Sequence, residues 1–251
     1  MDMAHGPFDE FIAATAVLTR VPVGAPAETP GIIAASGWAF PLVGTGVGAL
    51  CALAFLIAQL LGCAAPVAAV LTVLAGIVIT GAFHEDGLAD TADGFGGGAT
   101  REQKLAIMRD SRHGTYGILA LLLSVGLRGT ALATLGDPIH AGLALVAAHA
   151  GSRAALPLLM RSLKPARDDG LGALAGRPGA VVAAIAAVLG ALLTIVCLSP
   201  VTGVIALALL SAALLAARML ARRQIGGYTG DVLGCFQQIG EIVILLVAAA
   251  R

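Results

Sequence analysis

Between Thr29 and Phe83 the chain contains no Asp, Glu, Lys or Arg. A run of that length accommodates two membrane-spanning helices of about 20 residues each. Gly62-Cys63-Ala64-Ala65-Pro66 marks the break between them. A second uncharged run, Pro178 to Ala217, breaks at Leu198-Ser199-Pro200 and gives two more spans. Between these runs, Tyr116 to about Leu135 and about Ile139 to Met160 read as a pair joined by the turn Gly136-Asp137-Pro138. A last span runs from about Val232 to Ala250. The fold class is therefore all-α: a polytopic transmembrane bundle of about seven spans, in one integral-membrane domain covering residues 1–251. Phe8 to Leu18 is too short and too acidic at its start to span, and reads as an interfacial helix. Asp2, Asp9 and Glu10 stand where a signal peptide would be basic, and no cleavage site follows.

Composition narrows the function. Hydrophobic residues make up 58% of the chain and charged ones 12%, against roughly 25% charged in soluble domains. A soluble enzyme and a disordered chain are both excluded. Fifteen basic and fifteen acidic residues cancel, so no basic field attracts nucleic acid. The 33 glycines point to close helix–helix contact. Cys51, Cys63, Cys197 and Cys235 lie scattered in apolar stretches with no CxxC pair. They read as small core residues rather than a disulfide or zinc framework.

The basic residues orient the bundle. Arg101, Lys104, Arg109 and Arg112 share one loop; Arg161, Lys164, Arg167 and Arg177 share the next on that side; Arg218, Arg222 and Arg223 share a third; Arg20 precedes the first span. The connections around Gly62, Asp137 and Ser199 carry no Lys or Arg. The positive-inside rule makes the basic loops cytoplasmic, and seven spans then put the C-terminus outside. Arg128 and Arg153 interrupt the middle spans.

Directly after an apolar helix comes His84-Glu85-Asp86-Gly87-Leu88-Ala89-Asp90-Thr91-Ala92-Asp93-Gly94. On a helix Asp86, Asp90 and Asp93 fall at i, i+4 and i+7, on one face. Like charges so placed repel, and a divalent cation reverses the sign of that interaction. Mg²⁺ suits hard carboxylate oxygens, waters and a substrate phosphate. A solvated polar cap is the alternative, but a cap tolerates Lys or Asn mixed in, and this segment has neither. The glycine run Gly94-Phe95-Gly96-Gly97-Gly98 reads by itself as a flexible loop. Thr100-Arg101-Glu102-Gln103 is a capping box opening a short helix. It leads to Arg109-Asp110-Ser111-Arg112-His113-Gly114-Thr115-Tyr116-Gly117. Carboxylates that hold a metal, followed by paired arginines, are the equipment of phosphoryl chemistry. The arginines alone could equally face lipid headgroups.

A third block, Arg222-Arg223-Gln224-Ile225-Gly226-Gly227-Tyr228-Thr229-Gly230-Asp231, opens the last span. Asp231, Gly234, Gln238 and Glu241 then form one polar stripe. A charged residue within a span faces the bundle interior or a wet cavity. Glu241 either pairs with Arg128 or Arg153 or acts directly in catalysis. Asp231, at the membrane edge, either shares the metal or acts as a base.

Together these blocks resemble the cobalamin synthase (adenosylcobinamide-GDP ribazoletransferase) family. The resemblance rests on Phe83 through Gly97, on Ile107-Met108-Arg109-Asp110-Ser111-Arg112 with Gly114-Thr115-Tyr116-Gly117, and on Ile225 through Gly234, with Leu18-Thr19-Arg20-Val21-Pro22 near the N-terminus. His113 and Cys235-Phe236 depart from the family pattern. The resemblance implies a multi-pass enzyme of the bacterial inner membrane with its active site on the cytoplasmic face and homo-oligomerisation open. Its substrates would be adenosylcobinamide-GDP and α-ribazole or α-ribazole 5′-phosphate. The ribazole 3′-hydroxyl would displace GMP with Mg²⁺ as cofactor, beside membrane lipid and without nucleic acid. Carried over by position, Asp86, Asp90 and Asp93 would hold Mg²⁺ with Glu85 assisting, and Asp231 or His84 would serve as base. Arg109, Asp110, Ser111, Arg112, Arg223, Tyr228 and Thr229 would bind substrate, with the three arginines supporting the leaving GMP. Two other membrane transferases share fragments of the pattern. Asp90-Thr91-Ala92-Asp93-Gly94 echoes CDP-alcohol phosphotransferases without their following Ala-Arg, and Asp86 to Asp90 echoes prenyltransferases without a second acidic motif. A transporter would carry its coupling carboxylates near the membrane midplane, whereas these acids adjoin the basic loops.

Overall fold

A computed structural model describes residues 6–24 and 31–250; Asp2, Arg251 and the first two residues of the uncharged run, Thr29 and Pro30, lie outside them. The described chain is helical, with one isolated bridge between Pro165 and Tyr228. After α1 (Pro7–Leu18) come α2 (Ile32–Ala35), a 3-10 turn (Ser36–Ala39) and α3 (Phe40–Leu60). Then follow α4 (Ala65–Thr80), α5 (Phe83–Gly97), α6 (Arg101–Ile107) and α7 (Thr115–Leu135). The chain continues through α8 (Pro138–Ala154), α9 (Leu156–Ser162), α10 (Leu171–Leu174), α11 (Ala180–Leu198), α12 (Pro200–Ile225) and α13 (Gly230–Ala249). Among the described residues six stretches are long and apolar enough to cross a membrane; α4 does not qualify alone, and the number is seven if α4 and α5, bent by 92° to one another, count as one broken span. The breaks fall where the sequence puts them: after Leu60, at Gly136-Asp137, and at Ser199. The third and fourth spans run within a residue or two of the expected bounds, while α12 extends past Ala217 to Ile225 and carries three arginines out of the apolar layer.

Lipid offers no hydrophobic drive for helices to associate, so close backbone approach has to supply the attraction. α8 is the central helix, packed by α3, α11 and α13. On α3, Gly44 and Gly48 lie one turn apart and meet the α8 backbone at His149–Ala150 and Leu145–Val146. A Cβ on Gly48 would come 2.7 Å from the Leu145 carbonyl oxygen. Any larger residue would drive the two helices apart, which accounts for glycine at these positions.

The acidic segment forms α5, and the glycine run does not make the loop expected of it: α5 continues through Gly97. Those glycines serve packing. A Cβ on Gly94 would meet the Met108 side chain at 2.5 Å, and one on Gly96 the Tyr116 ring at 2.6 Å. The turn from α4 into α5 is made by Gly81 and Ala82, both left-handed (φ +66° and +58°). For alanine that conformation costs roughly 1–2 kcal/mol. The Arg20 side chain lies over Gly81, and the Arg20 amide donates to the Ile79 carbonyl at 2.7 Å, fastening the corner from the N-terminal side. The result lays α5 between α7 and α13. The capping box forms as read: Thr100 Oγ1 accepts from the Gln103 amide and Gln103 Oε1 accepts from the Thr100 amide, each at 3.2 Å.

Candidate active site

Two glycines set where the acids stand. Gly87 on α5 lies against Asp231 of α13, where a Cβ would come 2.6 Å from the Asp231 carbonyl oxygen. One turn along α13, Gly234 lies against the His84 backbone at 3.2–3.3 Å. This crossing brings Asp86 and Asp90, on either side of Gly87, to the first turn of α13. Besides burial, the strongest influences on Asp90 are the like charges of Asp86 and Asp231. His113 Nδ1 stands 4.0 Å from Asp90 Oδ1 and offsets part of that repulsion when protonated. Asp86 is exposed; Asp90 and Asp231 are half-buried. The cluster therefore opens outward from the bundle.

The remaining acids of the segment turn to protein contacts. Asp93 is buried, and its two carboxylate oxygens accept from the Gly114 amide at 2.7 Å and the Gly117 amide at 2.9 Å. It ties α5 to the start of α7, where no side chain of α7's own caps the helix. Glu85 points into the bundle, where Arg128 Nη1 donates to Glu85 at 3.0 Å and to Glu241 at 3.1 Å. Gln238 bridges the same group, accepting from Ser124 at 2.8 Å and donating to Glu85 at 3.3 Å. Of the two readings of Glu241, the pairing one holds: it is buried beside Arg128, at the far end of the stripe from Asp231. Arg153 is likewise interior, with Nη1 2.9 Å from His149 Nδ1.

The other predicted residues divide between exposed positions and the scaffold. His84 is 1% exposed, and its Nε2 has no hydrogen-bond partner. It lines a small apolar cavity with Leu18, Phe40 and Met160. Thr229 is the N-cap of α13, accepting from the Val232 amide and donating to Asp231 Oδ2 at 3.0 Å. Tyr228 is buried, and its backbone forms the bridge, with its amide donating to the Lys164 carbonyl and its carbonyl accepting from the Ala166 amide. Arg109, Ser111, Arg112 and Arg223 are exposed. Arg109 Nη2 donates to both Asp169 oxygens at 2.5 Å. Arg112 grips Asp110 through Nε and Nη2, and these bonds hold the Asp110 carboxyl down to about 2, so the pair stays ionised at neutral pH.

Sequence reasoning passed over three residues here. Arg167 Nη2 reaches Asp231 Oδ2 at 3.4 Å, and Asp169 joins Arg109 to Arg167. His113 stood out only as a departure from pattern. The loop holding Arg167 and Asp169 has no motif, and its part shows only once it folds onto α13. Arg101 draws the basic segments together: its side chain donates to the Ile225 carbonyl at 2.9 Å and to the Ala166 carbonyl.

Among the described residues no three His, Cys, Asp or Glu side chains are placed to hold a metal ion by themselves. Asp86 and Asp90 offer hard carboxylate oxygens, the donor type that a divalent cation such as Mg²⁺ takes one or two at a time beside water and phosphate. Asp86, Asp90 and Asp231, with Arg167 on Asp231 and Asp169 linking Arg167 to Arg109, give the mix of charges that a metal-complexed phosphate takes.

Comparison with known proteins gives one consistent answer. The family model described as cobalamin-5-phosphate synthase matches residues 10–249. A protein of Bradyrhizobium diazoefficiens named adenosylcobinamide-GDP ribazoletransferase is 53% identical, covering 94% of this chain and 92% of its own. Proteins of the same name from Mesorhizobium japonicum and Shewanella baltica are 47% and 42% identical, over 86% and 97% of this chain and 83% and 94% of theirs. No solved structure matches.

Proposed function

The chain belongs to the cobalamin-5-phosphate synthase family, and from that premise we propose that it is a membrane transferase that joins adenosylcobinamide-GDP to α-ribazole or α-ribazole 5′-phosphate. The ribazole 3′-oxygen forms a bond to the phosphorus attached to the cobinamide arm, the bond from that phosphorus to GMP breaks, and the hydroxyl proton passes to a base. A phosphodiester and GMP result. The observation that carries the reading is the Gly87–Gly234 crossing, which sets Asp86 and Asp90 against Asp231 at one outward-facing edge.

Asp86 and Asp90 would hold Mg²⁺, which supplies charge neutralisation on the reacting phosphate. Asp93 and Glu85, engaged with α7, serve as scaffold for those two. Asp231 is the better base of the two candidates, because it stands at the open edge with Thr229 and Arg167 fixing its Oδ2, whereas His84 faces an apolar cavity. Arg109 and Arg112 hold carboxylates in exposed ion pairs. A phosphate offers the same bidentate geometry, so each arginine can exchange partner when the nucleotide arrives. Arg223, exposed two residues before the Ile225 carbonyl that Arg101 holds, would add charge to them. The basic segments gathered around Arg101 support a site on the cytoplasmic face of the bacterial inner membrane by the positive-inside rule.

The test is GMP release by the purified protein in lipid vesicles. Nucleotide should appear only when donor, acceptor and Mg²⁺ are all present, in equal amount with the joined corrinoid, and should stop on chelation. GMP released without acceptor would mean a hydrolase, and no release under any combination would remove the assignment.

A further inference from the structure

A cavity of about 390 Å³ is lined by both residues of the Pro165–Tyr228 bridge, and Tyr228 stands three residues before Asp231 in the chain. Arg161, Lys164 and Arg177 line it with Tyr228, and no carboxylate among the described residues does. The two arginines are fixed by backbone carbonyls rather than by acids. Arg161 Nη1 donates to the Pro178 carbonyl at 3.2 Å, and Arg177 Nε and Nη2 donate to the Arg161 carbonyl at 3.1 and 2.9 Å. Their positive charge is held in place without being neutralised. A concave site with three cations and no counter-charge is electrostatically built for an anion. Two oriented guanidinium groups favour phosphate oxygens in particular.

We propose that this cavity binds a phosphate monoester, the 5′-phosphate of the acceptor nucleotide. The proposal rests on the transferase reading above and assigns one part of its substrate. In that reaction the donor's diphosphate belongs at Asp86 and Asp90, where the bond is made and broken. An anion site set apart from those carboxylates suits a phosphate that does not react. The acceptor's 5′-phosphate is such a group, separated by the ribose from the attacking 3′-hydroxyl. The wall between the two sites is short. Gly227 packs against the Lys164 carbonyl, Tyr228 pairs with residues 164 and 166, and Asp231 follows three residues later. An acceptor anchored by its phosphate in the cavity would lay its ribose along that wall toward Asp231.

Anionic lipid headgroups carry related chemistry and are the competing source of phosphate. The experiment uses Lys164→Glu, chosen because the Lys164 side chain makes no hydrogen bond or ion pair among the described residues. A second variant, Arg177→Gln, keeps side-chain hydrogen bonding. Both are assayed in vesicles of phosphatidylcholine alone and of phosphatidylcholine with phosphatidylglycerol, with α-ribazole and with α-ribazole 5′-phosphate. The expected result is a KM for the phosphorylated acceptor raised at least tenfold more than that for α-ribazole, in both lipids. Equal losses with the two acceptors, or none, would overturn the site. A loss confined to vesicles containing phosphatidylglycerol would hand the cavity to lipid headgroups and equally overturn it. Wild-type protein inactive with both acceptors would remove the transferase reading and this inference with it. A wild type that turns over while the variants' acceptor ratio stays fixed would remove the inference alone.

Discussion

Asp90 is the carboxylate on which the others' charges converge, and its substitution is the sharpest test of the acidic cluster. Asn keeps the volume and removes the charge that opposes Asp86 and Asp231. Without a cation, like charges packed together destabilise the fold, so Asp90→Asn should leave thermal stability in chelator equal to or above wild type. Turnover should nevertheless fall by on the order of 10²–10³-fold, as when an electrostatic stabiliser of the reacting group is lost. Paired stability and activity measurements check both halves, and more than about a tenth of wild-type activity would exclude the metal role. Arg112 offers the complementary case. Lys keeps the charge but loses the planar fork that now grips Asp110. Arg112→Lys should lower kcat/KM clearly with membrane insertion unaltered. Wild-type kinetics would assign Arg112 to lipid headgroups instead.

Between elements, the decisive contact is the α5–α13 crossing. An added methyl at Gly87 would sit 2.6 Å from a backbone oxygen, which cannot rotate away as a side-chain tip can. Overpacking of that kind costs about 1–3 kcal/mol, and its geometric effect is to push Asp86 and Asp90 away from Asp231. Gly87→Ala should therefore lower kcat much more than it lowers the amount of folded, membrane-inserted protein. Gly46, with nothing within 4 Å of an added Cβ, is the control, and Gly46→Ala should match wild type in both. Equal behaviour of the two variants would mean that the crossing does not set the site. Arg128 works from below, bonding Glu85 of α5 and Glu241 of α13 from its place on α7. Three helices share one buried guanidinium, which is why two acids and an arginine coexist inside an otherwise apolar bundle.

At the scale of the whole molecule, the site depends on which connections meet on one side. Two spans, α7 and the α8–α9 pair, separate the segment ending near Gly117 from the loop holding Arg167. Two more, α11 and α12, separate that loop from Asp231. Even numbers return the chain to the same face, and the Arg101 bonds to Ile225 and Ala166 draw the three segments together. Single cysteines at Thr100, Ala173 and Gln224, in a background without the four native ones, should be shielded from an impermeant thiol reagent outside the cell. A cysteine at Ser199 should be labelled. Labelling at position 100 but not at 224 would break the shared site and detach Asp231 from Asp86 and Asp90.

The helices and their ends were legible in the sequence because a lipid environment leaves few choices. Backbone polar groups must be satisfied within each span, so uncharged runs become helices and Gly-Pro breaks become turns, as at Gly62 and Ser199. The i, i+4 spacing of Asp86 and Asp90 placed both on one helix face without any tertiary information. Spacing could not tell which of these carboxylates the fold would engage with protein partners. Asp93 continues the same pattern, yet its oxygens go to the Gly114 and Gly117 amides, and Glu85 goes to an arginine 43 residues away. The glycine run was misread for a related reason: in sequence it looks like slack chain, and only the neighbours Met108 and Tyr116 make it packing surface. Nothing in the sequence tied Arg167, Asp169 or His113 to the acidic segment: Arg167 counted only among the basic loop residues and His113 only as a departure from pattern, since a charged residue in a loop acquires its partner when the chain closes. Hydrophobic periodicity is a property of each segment and can be read one residue after another. Which charges face one another depends on how helices distant in sequence cross, and here that was decided by Gly87 against Asp231 and Gly234 against His84.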